Sequence, residues 1–265
     1  MSEAHGHTGP GFFIPHRHAA SVRPIAYPAL EVIFRAALPG MLALLARAEA
    51  LAPRLLELTG PAPEPRFDQD WFPRLDAALL YTLVRERPPR RIVEVGSGHS
   101  TRFAVRAVRD AGSAISVLCI DPEPRARLDG LPVRLVPTTV QAADPELLSG
   151  LAPDDILFID SSHIAVPGSD VDYLLNAVLP ALPPGVLVHL HDIFLPDPYP
   201  EAWAWRGYNE QVAVGCLLQG STFEPLVASH YLATREARRL EQSPLARLPL
   251  LPGTWESSLW LRKSG

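Results

Sequence analysis

Cysteine is scarce in this 265-residue chain, with two copies, and any excess of positive charge is missing. Cys119 and Cys216 both fall in apolar stretches, where thiols behave as small hydrophobes, so two reduced core residues and no disulfide framework are expected. Lys and Arg total 24 against 29 Asp and Glu, for a formal net charge of -5. That balance offers no broad basic surface to neutralise phosphates, so nucleic acid is not the expected partner. The start, Met1-Ser-Glu-Ala-His-Gly-His7, has neither a basic stretch nor an apolar core, and no secretory signal is expected. The apolar stretch from Ala36 to Leu58 is broken by Pro39, Arg47, Glu49, Pro53, Arg54 and Glu57, which argues against a membrane span and for a cytoplasmic protein. Internal repeats and low-complexity tracts are also missing.

What the chain has in plenty is proline, 29 residues, roughly twice the usual share of about 5%. Prolines cluster between elements, where they cost no ladder hydrogen bonds, and so they divide the chain. Residues 1 to 28 read as irregular, with the first ten or so mobile. From Ala29 to Leu58 apolar residues recur at helical spacing, interrupted at Pro39-Gly40, which predicts two helices. The run Gly60-Pro-Ala-Pro-Glu-Pro65 reads as a stiff linker, giving an N-terminal irregular and helical extension over 1–66 and a second domain over 67–265.

In the second region strands and helices alternate, the signature of a parallel sheet covered on both faces. Helices are expected at Leu75 to Glu86 and Ser100 to Asp110. Strands are expected at Arg91 to Val95, Ile115 to Ile120, Val133 to Val136, Ile156 to Ile159 and Val186 to Leu190. Ser169 with Asp172 three residues later resembles a capping box opening a further helix. A helix from about Asn209 to Gln219 follows, closed by Gly220. Two strand-like segments, Leu226 to Tyr231 and Ser257 to Leu261, end the chain, separated by a long polar connection.

The strongest local signal is Ile92-Val-Glu-Val-Gly-Ser-Gly-His-Ser100, a buried strand running into Gly96-Ser97-Gly98 and then a helix. Glycines allow a sharp turn and close approach of a ligand, and the helix N-terminus offers unpaired N–H groups, so a nucleotide-like ligand fits at Gly96, Ser97, Gly98 and Ser100. Thr101 stands where a dinucleotide fingerprint needs a third glycine. Asp121, 25 residues beyond Gly96 at the end of the next strand, suits ribose hydroxyls in either NAD or S-adenosylmethionine. Glu94 discriminates: a carboxylate beside the loop repels a pyrophosphate but suits the amino group or sulfonium of S-adenosylmethionine.

Glu94-Val-Gly-Ser-Gly-His-Ser-Thr101, Ile120-Asp-Pro122, Phe158-Ile-Asp-Ser-Ser-His163 and His191-Asp-Ile193 together resemble a class I S-adenosylmethionine-dependent methyltransferase. More narrowly they are similar to a bacterial branch of methyltransferase-domain proteins whose catalytic function is mostly unassigned, over roughly residues 67 to 263. The resemblance implies a Rossmann-like α/β fold: a seven-stranded, mostly parallel sheet with the last strand antiparallel and helices on both faces. It also implies cofactor and acceptor meeting over the carboxyl ends of the parallel strands. The N-terminal helices have no counterpart in that core and are expected to roof the acceptor side.

Two elements lie where a methyl acceptor would sit, Asp160-Ser-Ser-His163 and His191-Asp192. His163 is the preferred general base, since an unperturbed imidazole titrates near 6.5 and can take a proton at neutral pH. Asp160 is placed to bind a metal, to position His163 or to accept from the cofactor's amino group. The Asp160-x-x-His163 spacing, with a polar pair after the next strand, is similar to metal-dependent O-methyltransferases of macrolide sugars. By that likeness Asp160, His191 and Asp192 would hold a divalent metal, although an imidazole at 191 suits zinc or another transition metal better than magnesium. Without metal, His191 becomes a second candidate base with Asp192 as its orienting partner.

The proline-stiffened segment Pro196 to Asn209 carries Tyr199, Trp203, Trp205, Arg206 and Tyr208, either as a water-excluding lid that stacks on a sugar or planar ring or as a loop packed on the core. Asn209-Glu210-Gln211 is placed to cap the next helix or reach the pocket. His16 and His18 lack a third partner for a metal. The expected activity is O-methylation of a small hydroxylated acceptor, a sugar unit or secondary metabolite. Two rivals stand beside it: a hydroxylase or oxidoreductase with iron on Asp160, His191 and Asp192, and a non-catalytic binding protein on the same fold. The sequence leaves the oligomeric state open.

Overall fold

Four apolar tetrads, Ile92-Val-Glu-Val95, Val117-Leu-Cys-Ile120, Ile156-Leu-Phe-Ile159 and Leu187-Val-His-Leu190, are nearly continuous in hydrophobicity, as strands buried on both faces must be. In the computed structural model, which describes residues 21 and 23–265, they form the centre of one seven-stranded sheet. His16 and His18 lie outside the described residues.

The elements run α1 (Pro28–Ala50), α2 (Ala52–Leu56), α3 (Arg74–Glu86), β1 (Arg91–Val95), α4 (His99–Asp110), β2 (Ser116–Ile120), β3 (Val133–Val136), α5 (Glu146–Ser149) and β4 (Ile156–Ile159). Next come α6 (Asp170–Tyr173), which passes through a π-helical turn at Leu174–Val178 into α7 (Leu179–Ala181), and β5 (Leu187–Leu190). The chain then forms a 3-10 turn at Glu201–Arg206, α8 (Glu210–Leu217), β6 (Phe223–Ala228), α9 (Ser229–Arg235), α10 (Ala237–Gln242) and β7 (Leu259–Lys263). The sheet order is β3-β2-β1-β4-β5-β7-β6, with β7 antiparallel to both neighbours and the central pairs parallel. This is the Rossmann-like architecture expected.

Several boundaries differ from expectation for physical reasons. α1 runs straight through Pro39, because Pro39 and Gly40 sit on its exposed face, where water can satisfy the carbonyl that proline leaves free. The break comes instead at Leu51, where Pro53 is accommodated in the first turn of α2. Residues Ser229 to Tyr231, read as strand, open α9, and the polar connection behind them holds α10 and a second 3-10 turn, Pro244–Arg247. Pro225 is tolerated in β6 because that strand is at the sheet edge and bulges between Pro225 and Val227. Ser169 does cap α6, its side chain accepting from the Asp172 N–H.

The N-terminal helix is not a roof over the strand ends. Leu30, Phe34, Met41, Leu44, Leu45 and Ala48 bury one face of α1, which packs against β6 and α3. By length and composition alone this helix, of mean hydropathy 1.7, is apolar enough to cross a membrane. Both cysteines are free thiols, but only Cys119 is in the core; Cys216 lies on the exposed face of α8, whose packed face is Val214 and Gly215.

Candidate active site

Strand order reverses between β1 and β4, and at such a switch point the loops leaving the carboxyl ends diverge and open a crevice. Backbone bonds lace the strand ends around it: Asp160 N–H donates to the Val95 carbonyl (2.9 Å), Gly96 N–H to Ile120 (3.1 Å) and His191 N–H to Ile159 (2.9 Å). Gly96 has φ +80°, and a Cβ there would lie 1.7 Å from the Asp160 carbonyl oxygen. Both the backbone conformation and the close approach of β1 to β4 therefore require glycine. The turn delivers Ser97, Gly98 and the first N–H groups of α4 to a cavity of 560 Å³.

Asp121 braces that turn. One carboxylate oxygen accepts from Ser97 N–H (2.6 Å) and Ser97 Oγ (2.9 Å), and the other from Glu123 N–H (2.8 Å). Glu94 departs from expectation. It does not line the cavity; it is buried beneath α4, accepting from Ser100 Oγ and Thr101 Oγ1, both at 2.5 Å. Burial pushes its pKa up to about 7 despite these hydroxyls, which pull the other way. Side chains alternate along a strand, and position 94 points off the sheet under the helix instead of toward the crevice. Glu94 thus anchors the loop from behind, and the discrimination between cofactors cannot rest on it.

Gly96, Ser97, Gly98, Ser100, Asp121, Asp160, His163, His191 and Asp192 all line the one cavity. His163 is its buried hub. Nδ1 lies 2.9 Å from Glu210 Oε2, while Nε2 lies 3.3 Å from Asp160 Oδ1 and 3.5 Å from Asp192 Oδ2. Burial alone would depress the imidazole pKa, but hydrogen bonds to Asp160 and Glu210 and the charges of Asp192 and Glu210 hold it well above the ordinary range. Both ring nitrogens of His163 thus face carboxylates, an arrangement that favours the protonated ring. Burial is likewise outweighed at Asp160, where His191 and His163 keep the carboxyl well below the usual range. Both His163 (φ 60°) and Asp192 (φ 55°) adopt left-handed backbone, the kind of local strain that persists where surrounding structure enforces it.

His191 is held by a second network. Its Nε2 meets the Trp71 carbonyl at 3.1 Å, and burial is opposed by Asp160, Asp192 and Asp76, leaving its pKa raised. Asp76, fully buried on α3, accepts from Ser229 Oγ and from the N–H groups of Ser257 and Ser258; burial raises its carboxyl to about 6. Ser257 Oγ in turn donates to Asp192 (3.1 Å), so α3 and the segment leading into β7 fix the carboxylate facing His163. His189, two residues earlier on β5, is stacked on Phe158 (3.7 Å) and bonded to Ser258, and burial pushes its pKa well below the ordinary range.

A divalent metal on Asp160, His191 and Asp192 does not fit this arrangement. The His163 nitrogen lies between the two carboxylates, where a shared cation would have to be, and His191 turns its Nε2 to a backbone carbonyl. Among the described residues no cluster of three or more His, Cys, Asp or Glu side chains has ligating geometry. A nucleoside-bearing cofactor fits better. The cavity combines helix N–H groups with carboxylates, and four buried polar atoms lacking any partner, His99 Nδ1, Ser161 Oγ, His191 Nδ1 and Arg206 Nε, belong to residues lining it.

The aromatic segment divides in two. Trp203, Arg206 and Tyr208 line the cavity, with the Tyr208 ring 4.6 Å from that of His163. Tyr199 packs on Phe194 and Tyr208, and Trp205 is 81% exposed. Asn209-Glu210-Gln211 reaches the site, but Asn209 stands at the N-cap of α8 without a side-chain capping bond. Glu210 reaches His163, while Asn209 Oδ1 and Gln211 Oε1 accept from the backbone of Ala165 and Phe194. Trp71, Phe72, Arg125 and Trp255 also line the cavity, unforeseen because they come from irregular segments with no motif.

Residues 93–193 match the family model described as a methyltransferase domain. No curated protein matches the chain in a sequence search. Among solved structures it is similar to an SAH-bound methyltransferase of Podospora anserina (16% identity, 96% of this chain and 100% of that one, TM-score 0.44). It is also similar to an O-methyltransferase of Bacillus cereus in complex with SAH (14%, 82% and 91%, 0.44). A third likeness is the branched-chain polyamine synthase of Thermus thermophilus (16%, 82% and 65%, 0.44). These likenesses are too distant to assign a reaction. The strand order and switch-point glycine turn are those of a Rossmann-like fold, and within it residues 93–193 are similar to a methyltransferase domain.

Proposed function

We propose that the chain is an S-adenosylmethionine-dependent methyltransferase that methylates a hydroxyl of a small acceptor, such as a sugar unit or a secondary metabolite. One observation carries the reading: a single cavity joins the Gly96–Gly98 turn and the α4 N-terminus to the carboxylate–imidazole cluster at the ends of β4 and β5. S-adenosylmethionine, when bound, supplies an electrophilic methyl group for in-line displacement. Gly96, Ser97, Gly98 and Ser100 would hold it through the turn and helix N-terminus, with Asp121 toward its ribose hydroxyls.

The acceptor's proton is the chain's own task. Asp160, Asp192 and Glu210 surround the His163 imidazole, so the cluster stabilises a proton taken up on that ring. Asp160 is its accessible member, with a side chain 34% exposed, and accepts the hydrogen bond from the acceptor hydroxyl. As the O–C bond forms, the O–H bond breaks and its proton passes to Nε2 of the neutral form of His163, which lies 3.3 Å from Asp160 Oδ1. His163 keeps the facing carboxylates charged and in place, and Tyr208 shields its ring from water.

The test is labelled-methyl transfer from S-adenosylmethionine to a panel of hydroxylated sugars and phenols. His163→Ala should abolish transfer while SAH affinity stays within about twofold. Unchanged transfer would remove the cluster from the chemistry.

A further inference from the structure

Some half-buried arginines in this fold are paired with acids, Arg74 with Glu256 and Arg106 with Glu64 and Asp110, and others such as Arg85, like the buried Arg102, bond backbone carbonyls. Arg206 is also half-buried and lines the cavity, yet it makes no ion pair with any described residue. Its guanidinium lies 4.2 Å over the Trp203 ring, with Trp205 at 5.3 Å and Tyr208 at 5.4 Å. Nη1 donates to Tyr208 Oη at 3.0 Å, and Nε is buried without a partner.

A guanidinium left without a counter-ion in a partly desolvated wall is costly, and unsatisfied buried donors cost about 1–3 kcal/mol each. Stacking on indole fixes the plane of the group but does not supply an acceptor for its N–H groups. What answers the unused donors is an oxyanion, which the planar fork of arginine recognises in bidentate fashion. Its place in the fold says which molecule brings that oxyanion. Arg206 follows β5, on the same side as Tyr208, whose ring covers His163 at 4.6 Å. The guanidinium therefore faces the acceptor half of the cavity, with the His163 cluster at one end and Trp203 along the side.

We propose that Arg206 is the specificity residue for an acceptor that carries an oxyanion, a carboxylate or a phosphate monoester, on a flat ring whose hydroxyl is directed to Asp160. This rests on the methyltransferase reading and narrows its substrate class from any small hydroxylated molecule to an anionic one. The aromatic wall made by Trp203, Tyr208 and Trp255 suits a flat ring, and Tyr208 holds the guanidinium in register.

The test uses three probes of one shape, 4-hydroxybenzoate, 4-hydroxyphenyl phosphate and 4-hydroxybenzamide, titrated calorimetrically into the full chain with and without saturating SAH. One or both anions should bind at least tenfold more tightly than the neutral amide, and the tighter of the two names the oxyanion. Arg206→Gln should erase the preference while SAH affinity and melting temperature hold, and Arg206→Lys should restore part of it. Equal affinity for acid and amide, no binding of any probe, or a preference that survives Arg206→Gln would overturn the proposal. Failure of SAH itself to bind strikes instead at the cofactor reading, and the titration without SAH reads the anion preference separately.

Discussion

Replacing Gly96 by Ala tests whether the cavity depends on the close approach of β1 and β4. The methyl group would be placed 1.7 Å from the Asp160 carbonyl oxygen and 2.8 Å from its carbon, where 3.4 Å is ordinary contact. Backbone at φ +80° adds about 1–2 kcal/mol for any L residue. Relieving the overlap means moving one strand end, which breaks the Asp160-to-Val95 hydrogen bond, worth about 0.5–1.5 kcal/mol. The sum is about 1.5–3.5 kcal/mol, equivalent to a fall of roughly 3–14 °C in a chain of this size. Gly112→Ala is the control, since φ there is +65° but nothing lies within 4 Å of the added methyl. It should show the conformational cost alone. Thermal melts of both variants, with SAH titrations on the folded material, measure the difference. Equal melting temperatures, or a Gly96→Ala protein that binds SAH like the parent, would refute the reasoning.

Other outcomes follow from the buried charges. Because the pKa of His163 is raised on folding, its stabilisation is complete below about pH 6.5 and is lost as pH rises through the folded value. The stability gap between wild type and His163→Gln should be flat at mildly acidic pH and shrink on the alkaline side in melts across pH 6 to 9.5; a gap that widens would contradict the imidazolium. Glu94 behaves oppositely to a salt-bridged acid, since its pKa goes from 4.5 up to about 7, and its ionisation costs on the order of 3 kcal/mol as pH rises through that window. Glu94→Gln should therefore gain on wild type between pH 5 and 8, and a difference independent of pH would show that Glu94 is not buried as described. EDTA should leave methyl transfer unchanged within about twofold, because His163 lies between the carboxylates a metal would need; a strict metal requirement would mean that His163 swings away.

The sheet was legible because parallel strands buried on both faces must be apolar throughout, and Pro and Gly mark their ends. Gly96, Asp121, Asp160, His163, His191 and Asp192 were legible as a set because each stands at the carboxyl end of a strand or in the loop just beyond it, and topology brings those ends together. Direction was harder to read. Nearness in sequence to the glycines points Glu94 toward the ligand, but the two-residue period of a strand sends it under α4. The carboxylate partner of His163 Nδ1 was illegible, because Glu210 lies 47 residues away and only the fold brings it there. The same holds for Asp76, which braces Asp192 through Ser257 from the far side of the domain, and for Trp71 and Trp255, which have no periodicity to announce them.

The most direct measurement is a calorimetric titration of the purified chain with SAH, repeated on Asp121→Ala. Saturable one-to-one binding that weakens at least tenfold in the variant is the predicted result, since Asp121 both braces Ser97 and faces the cavity. No heat with SAH, from a chain whose melt confirms that it is folded, would contradict the claim that the glycine turn and the strand-end acids form a methyl-donor site.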